Sequence, residues 1–141
     1  MIRDVLLPAL AVCFPNLDFQ IGQPPDPIAV FPAQHSAVGD VSIWDDGSEA
    51  MVGIGEITHG HFSHYGDVSA EQIHEQVAAG VVAFLQDLFA DRVLLWKSSS
   101  GAGGWKIVGA DERFSLLGPG DQTYLWSGPV ENSINRNDTG N

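Results

Sequence analysis

Residues 41–55, VSIWDDGSEAMVGIG, predict a β-hairpin with its turn at Asp46-Gly47. An Asp-Gly pair favours a two-residue hairpin turn, because both turn positions need positive φ angles. This turn predicts that Asp45 lies opposite Ser48, Trp44 opposite Glu49, Ile43 opposite Ala50, and Val41 opposite Val52. Opposed residues share a face, so the apolar side chains should form one buried inner face. That face consists of Val41, Ile43, Ala50, Val52 and Ile54.

The opposite, outer face of the hairpin carries a different set of side chains: Ser42, Trp44, Glu49, Met51, Gly53 and Gly55. Continuing the strand alternation past the hairpin adds Ile57, His59 and His61 to this face. A β-bulge near Gly55 or Gly60 would reverse that assignment, because glycines inside strands often mark bulges.

The strongest helix signal follows, from Ser69 to about Asp91. Ser69 and Gln72 have the spacing of a capping box. The apolar residues recur at intervals of three and four and form one stripe: Ile73, Val77, Ala78, Val81, Phe84, Leu85, Leu88 and Phe89. Gly80 is unfavourable in a helix, so we expect it to allow a close approach to the sheet.

The remaining patterns predict a short helix over residues 2–13 and short strands over residues 17–21, 28–31, 92–97, 105–109 and 123–127. Strands, then a long helix, then more strands favour an α+β fold. We expect an antiparallel sheet with the long helix packed on one face and the short helix at the N-terminus. Residues 1–130 are predicted to form a single α+β domain. Residues 131–141 contain almost nothing apolar and are predicted to be a disordered tail.

The charge of the chain limits the class of its partners. Six Lys and Arg residues against 18 Asp and Glu residues give a net charge of −12. So few cations cannot form the basic stripe that nucleic acids require, and an anionic membrane surface would repel the chain. A basic protein partner is favoured electrostatically, although the same charge also serves solubility alone.

The cysteine content and the N-terminus bear on the compartment. Cys13 is the only cysteine, so no intrachain disulfide calls for an oxidising environment. The apolar run from Val5 to Phe14 is preceded by a single Arg and followed by no small-x-small cleavage site. We therefore expect a cytoplasmic protein.

Three of the five histidines occur within six residues, in the segment EITHGHFSHY at 56–65. His59 and His61 lie two residues apart on a predicted strand, which places both rings on one face, about 7 Å apart at Cα. His64 would be the third ligand, with Glu56 and Asp67 as alternatives. Zinc prefers imidazole, so this pattern predicts an open zinc site. The competing interpretation is a loop at the end of a sheet whose histidines bond to backbone or water.

Trp44 also stands out, because it lies beside the acidic turn on the outer face. An aromatic side chain near carboxylates is a suitable anchor for a basic partner. The predicted partner-binding residues are Trp44, Asp45, Asp46 and Glu49. The alternative is that the helix over residues 2–13 covers this face. The sequence offers no complete catalytic constellation and no cofactor-binding motif, so whether the protein is an enzyme stays open.

Residues 31–106 resemble an uncharacterised family of small acidic bacterial proteins. The resemblance rests on the Val-Gly-Asp entry at 38–40, the Asp-Asp-Gly turn at 45–47, Thr-His-Gly-His-Phe at 58–62, and Leu-Trp-Lys at 95–97 before a glycine loop. It implies a bacterial cytosolic origin and a genomic setting similar to that of small accessory or immunity proteins, and no activity is carried over from it.

Two interpretations therefore remain. The first is a non-enzymatic acidic binding or accessory domain, of immunity type among others, that engages a basic protein. The second is a metal-dependent enzyme or metal sensor that uses His59, His61 and His64. The first explains the charge, Trp44 and the lack of a catalytic constellation, and we prefer it for that reason.

Overall fold

The predicted hairpin lies inside a five-stranded antiparallel sheet in the computed structural model, which describes residues 1–108 and 121–130. The elements in chain order are α1 (Ile2–Cys13), β1 (Gln20–Ile21), β2 (Ala29–Phe31), β3 (Val41–Asp45), β4 (Ala50–Ile54), β5 (Thr58–Phe62), α2 (Ala70–Phe89), β6 (Val93–Lys97), β7 (Gly103–Ile107), β8 (Gln122–Leu125) and β9 (Gly128–Val130). The α+β class, the long helix and the short N-terminal helix are confirmed. The tail predicted at residues 131–141 lies outside the described residues.

The strands form two antiparallel sheets rather than one. The first has the order β1-β2-β3-β4-β5, and the second has the order β7-β6-β8-β9. Every described neighbour in the first sheet follows its partner in sequence, so short connections build it. The sequence patterns did not predict β9, because Gly128 and Pro129 are poor strand formers.

The hairpin register differs from the predicted one by two residues. Trp44 lies opposite Met51, and Ile43 lies opposite Val52. Asp46 N–H donates to the Glu49 carbonyl at 2.9 Å, so Gly47 and Ser48 form the tip of the hairpin. Gly47, with a φ of 96°, takes the first central position, where type II′ turns need glycine.

This shift leaves the predicted faces intact, because strand side chains alternate with a period of two. The predicted inner face is completely buried: Val41, Ile43, Ala50, Val52 and Ile54 are each 0% exposed. Past the hairpin, His59 lies opposite Gly53 and His61 opposite Met51, which confirms the outer-face assignment of both histidines. Ile57 departs from the prediction, because it lies in the turn between β4 and β5 and is 6% exposed.

Both helices belong to the core on the inner side of this sheet. The Ser69 hydroxyl accepts from Gln72 N–H at 3.2 Å, and the Gln72 carboxamide oxygen accepts from Ser69 N–H at 3.1 Å. The predicted capping box is thus confirmed. α2 buries one face: Val77, Ala78, Val81, Phe84, Leu85 and Leu88. α1 packs against α2 and buries Ile2, Leu6 and Leu10.

A cluster of three aromatic rings connects the long helix with both sheets. Phe84 of α2 lies 5.3 Å from Phe62 of β5 and 4.7 Å from Trp105 of β7, measured between ring centroids. Phe62 and Trp105 stack at 6.5 Å. Gly60 allows this approach, since a Cβ atom there would lie 3.0 Å from Trp105 Nε1.

The other tryptophans of the second sheet differ in burial. Trp126 is 5% exposed and belongs to the core, as its strand-like surroundings suggest. Trp96 is only half-buried and covers Gly104, the residue opposite it on β7. In the part of the chain that the structure describes, no helix combines the length and apolar character that a membrane span requires.

We expect Ile43→Asp to unfold the domain. Ile43 is 0% exposed, and an unpaired buried charge costs several kcal/mol out of a total stability of about 5–15 kcal/mol. The matched variant Ser42→Asp, on the outer face of the same strand, should change the melting temperature little. Equal losses in both variants would contradict the assignment of the two faces.

Gly80→Ala should stabilise the protein by about 0.5–1 kcal/mol, because alanine is the better helix former. The expected close approach does not require a glycine here, since an added Cβ would lie 3.6 Å from Phe62 Cδ1, an ordinary contact. Gly104→Ala is the opposite case, because its Cβ would collide with Cζ2 of the Trp96 ring. Urea titrations should give a higher midpoint for the first variant and a lower one for the second.

Candidate functional site on the outer face of the first sheet

The outer face of the five-stranded sheet lies on the side away from the core helices. Its central side chains are Trp44, Met51, His59 and His61. Trp44 and Met51 are half-buried, and neither belongs to the hydrophobic core cluster. The alternative that residues 2–13 cover this face is wrong, because the apolar side of α1 is buried against α2.

A glycine on the neighbouring strand fixes the position of Trp44. A Cβ atom at Gly53 would lie 3.0 Å from Cζ3 and 3.5 Å from Cη2 of the Trp44 ring. The ring therefore leans across β4 into space that any larger residue would fill. The missing side chain at Gly53 thus leaves room for this edge of the indole against β4.

His59 and His61 form a pair beside this tryptophan. Their ring centroids lie 5.1 Å apart, and the ring planes meet at 83°. His61 Nδ1 lies 3.1 Å from Glu49 Oε1, and both side chains remain partly open to solvent. An exposed pair of this kind contributes little to stability, so its residues are available for contact with a ligand.

The predicted zinc site remains a prediction. The structure brings His59 and His61 together, whereas His64 lies two residues beyond the end of β5. Its Nδ1 is buried and makes no hydrogen bond within the described residues. Across residues 1–108 and 121–130, no three His, Cys, Asp or Glu side chains are arranged to hold one metal ion.

The two aspartates of the hairpin turn have different roles. Asp45 Oδ2 accepts from Arg3 N–H at 3.1 Å, and Oδ1 accepts from Gly47 N–H at 2.9 Å. The Asp45 carboxylate thereby holds the start of α1 and the hairpin tip. Its strand position faces inward, since Ala50 opposite it is 0% exposed. The exposed Asp46 side chain makes no hydrogen bond of this kind within the described ranges.

An open cleft of about 710 Å³ adjoins Trp44. The outer face of β4 and β5 forms one side, and Gly101 and Gly103 from the β6–β7 hairpin form another. The other residues lining it include Trp44, Met51, Glu56, Ile57, Thr58 and His59. Glu56 is exposed and makes no hydrogen bond or ion pair within the described residues.

Sequence reasoning found part of this site. It identified Trp44, Glu49 and both histidines from strand alternation alone. It considered Glu56 only as a metal ligand, and it missed Gly53 and the β6–β7 loop. Alternation placed Gly53 on the Trp44 face, but no local pattern indicates that the ring would lean onto it. The contribution of the β6–β7 loop depends on how the two sheets pack.

No protein-family model matches the chain, and it matches neither a curated protein nor a solved structure.

Asp45→Ala should destabilise the fold by about 1–3 kcal/mol, because it leaves two backbone N–H groups without their charged acceptor. Asp46→Ala, at the adjacent exposed position, should cost less than about 0.5 kcal/mol. Chemical denaturation of the two variants checks this. Equal stability of both would show that Asp45 has no structural role.

Proposed function

We propose that this protein is a non-enzymatic acidic binding or accessory domain whose outer sheet face engages a basic protein partner. One observation carries the proposal. Trp44 and Met51 lie outside the core on a face that neither helix covers, with the carboxylates of Glu49 and Glu56 beside them.

The chemistry of this face suits protein binding. Aromatic residues and methionine are enriched at the centres of protein interfaces, where a few side chains supply most of the binding energy. Trp44 is held over Gly53 before any partner arrives, so little side-chain freedom is lost on docking. Trp44 and Met51 would be the anchors, and the charged residues would form the rim.

The charge of the chain supports a basic partner. A net charge of −12 attracts cationic proteins over a long range and raises the rate of encounter. At physiological ionic strength the screening length is about 8 Å, so steering weakens while short-range contacts persist. The same charge opposes binding to nucleic acids or to anionic membranes.

The resemblance to small acidic bacterial proteins supports a cytoplasmic accessory role, of which immunity to a basic toxin would be one form. An immunity-type domain acts by covering a functional surface of its target. A preformed acidic face with a central aromatic anchor suits such a task.

A second candidate function is metal binding by His59, His61 and His64, in an enzyme or a sensor. The 5.1 Å separation of the first two rings favours it. The third ligand would require the segment after β5 to rearrange. The measurement is the zinc content of protein purified without a histidine tag, together with its thermal stability on adding zinc. Stoichiometric zinc that is lost in the His59→Ala/His61→Ala variant would support this candidate, and a wild type that zinc neither binds nor stabilises would end it.

The preferred function predicts separate effects on association and dissociation. Neutralising Glu49 and Glu56 to Gln should slow association with a basic partner, most clearly at low salt. Trp44→Ala should instead accelerate dissociation by at least about tenfold, because a desolvated aromatic anchor acts after docking. Asp45 stays unchanged in these variants, since its carboxylate holds the fold.

The experiment begins with capture of partners from the native host, followed by rate measurements on the purified partner at low and physiological salt. Trp96→Ala is the matched control, because Trp96 is another half-buried tryptophan that covers a glycine, on the second sheet. A basic partner whose binding depends on Trp44 and not on Trp96 supports the proposal. Failure to recover any partner, or equal effects of the two substitutions, would contradict it.

A further inference from the structure

The cleft beside Trp44 has the composition of a site for a cation. The half-buried apolar residues that line it are Trp44 and Met51, and its one acidic residue is Glu56. Of the described residues, no Lys or Arg lines it. Glu56 is not satisfied internally within the described ranges, so it remains available to pair with a positive charge from outside.

We propose that this cleft receives an arginine side chain of the partner, with the guanidinium stacked on the Trp44 indole and paired with Glu56. This inference rests on the proposed function and names the chemistry of the group that the partner inserts. The methylene stem of the arginine would lie along the apolar surface of Met51.

The four Lys and Arg residues of the described ranges, including Lys106, do not line this cleft. The Arg3 guanidinium donates to the Gly22 carbonyl at 3.2 Å, and Arg92 pairs with Asp87 at 2.9 Å. Lys97 lines an adjoining cleft, which shares Gly55, Glu56 and Ile57 with the Trp44 cleft, and it forms no ion pair with Glu56 within the described residues. None of these three side chains lines the Trp44 cleft.

Arginine fits the cleft better than lysine for three reasons. Its planar guanidinium stacks on an aromatic ring, is less strongly hydrated than an ammonium, and can bond a carboxylate through two N–H groups. A tryptophan ring gives the strongest cation–π contact among aromatic side chains. The cleft is wide and open at about 710 Å³, so the planar group can enter edgewise between the ring and Glu56.

Gly53 is a positioning residue in this account. It lets the Cζ3–Cη2 edge of the indole approach β4, while Trp44 also lines the cleft. An added methyl group at Gly53, 3.0 Å from Cζ3, would push the ring from this position without removing any group that contacts the arginine.

The test uses two short Gly/Ser peptides of equal charge, one with a single central arginine among lysines and one with lysines only. Binding to the full ¹⁵N-labelled chain is followed through the indole N–H resonances of its four tryptophans. The arginine peptide should bind about three- to tenfold more tightly and shift the Trp44 resonance. This preference should disappear in Glu56→Gln and shrink in Gly53→Ala, while Trp96→Phe retains it.

The outcomes separate this inference from the proposed function. If both peptides bind equally and both shift Trp44, the face binds cations without arginine selectivity, and only the inference is overturned. If neither peptide shifts Trp44, both proposals are overturned. Trp44→Phe is the control for loss of the fold. It keeps an aromatic ring, so it should retain a weakened preference for the arginine peptide.

Discussion

The contact among Phe62, Phe84 and Trp105 is the interaction on which the rest of the structure depends. It joins the long helix to β5 at the edge of the first sheet and to β7 of the second sheet. β5 and β7 belong to different sheets and meet at this contact. Gly60 permits the contact, because Trp105 occupies the space that any other side chain there would fill.

This contact also determines which surface is left open. α2 packs on the inner face of the first sheet, and α1 packs on α2, so the apolar surface of both helices is used on one side. The outer face must then carry side chains that tolerate water, and Trp44 and Met51 are exceptions to that pattern. The β6–β7 hairpin reaches this side through Gly101 and Gly103, which turns a flat sheet surface into a cleft.

The sequence predicted the class, both helices and the two faces of the hairpin, because these follow from local periodicity and capping. The predicted inner face is correct although the predicted register is wrong by two residues, because strand side chains alternate between the faces with a period of two. The predicted centre of the turn was wrong: both Asp46-Gly47 and Gly47-Ser48 suit a hairpin tip, and the structure uses Gly47-Ser48. Asp45 was expected to contact a partner, and its bond to the backbone of Arg3 joins residues 42 positions apart. No local pattern reveals such a bond, nor the division of the strands into two sheets.

Hydroxyl-radical footprinting tests the central claim most directly, namely that Trp44 and Met51 form an open surface that a basic partner covers. The chain would be labelled alone and in complex with the basic partner recovered from its host. In the free protein, Trp44 and Met51 should be oxidised while Trp126, at 5% exposure, is protected. The complex should protect Trp44 and Met51 and leave Met1, at 60% exposure, reactive. A free chain in which Trp44 is as protected as Trp126, or a complex in which Trp44 and Met51 remain fully reactive, would contradict the account.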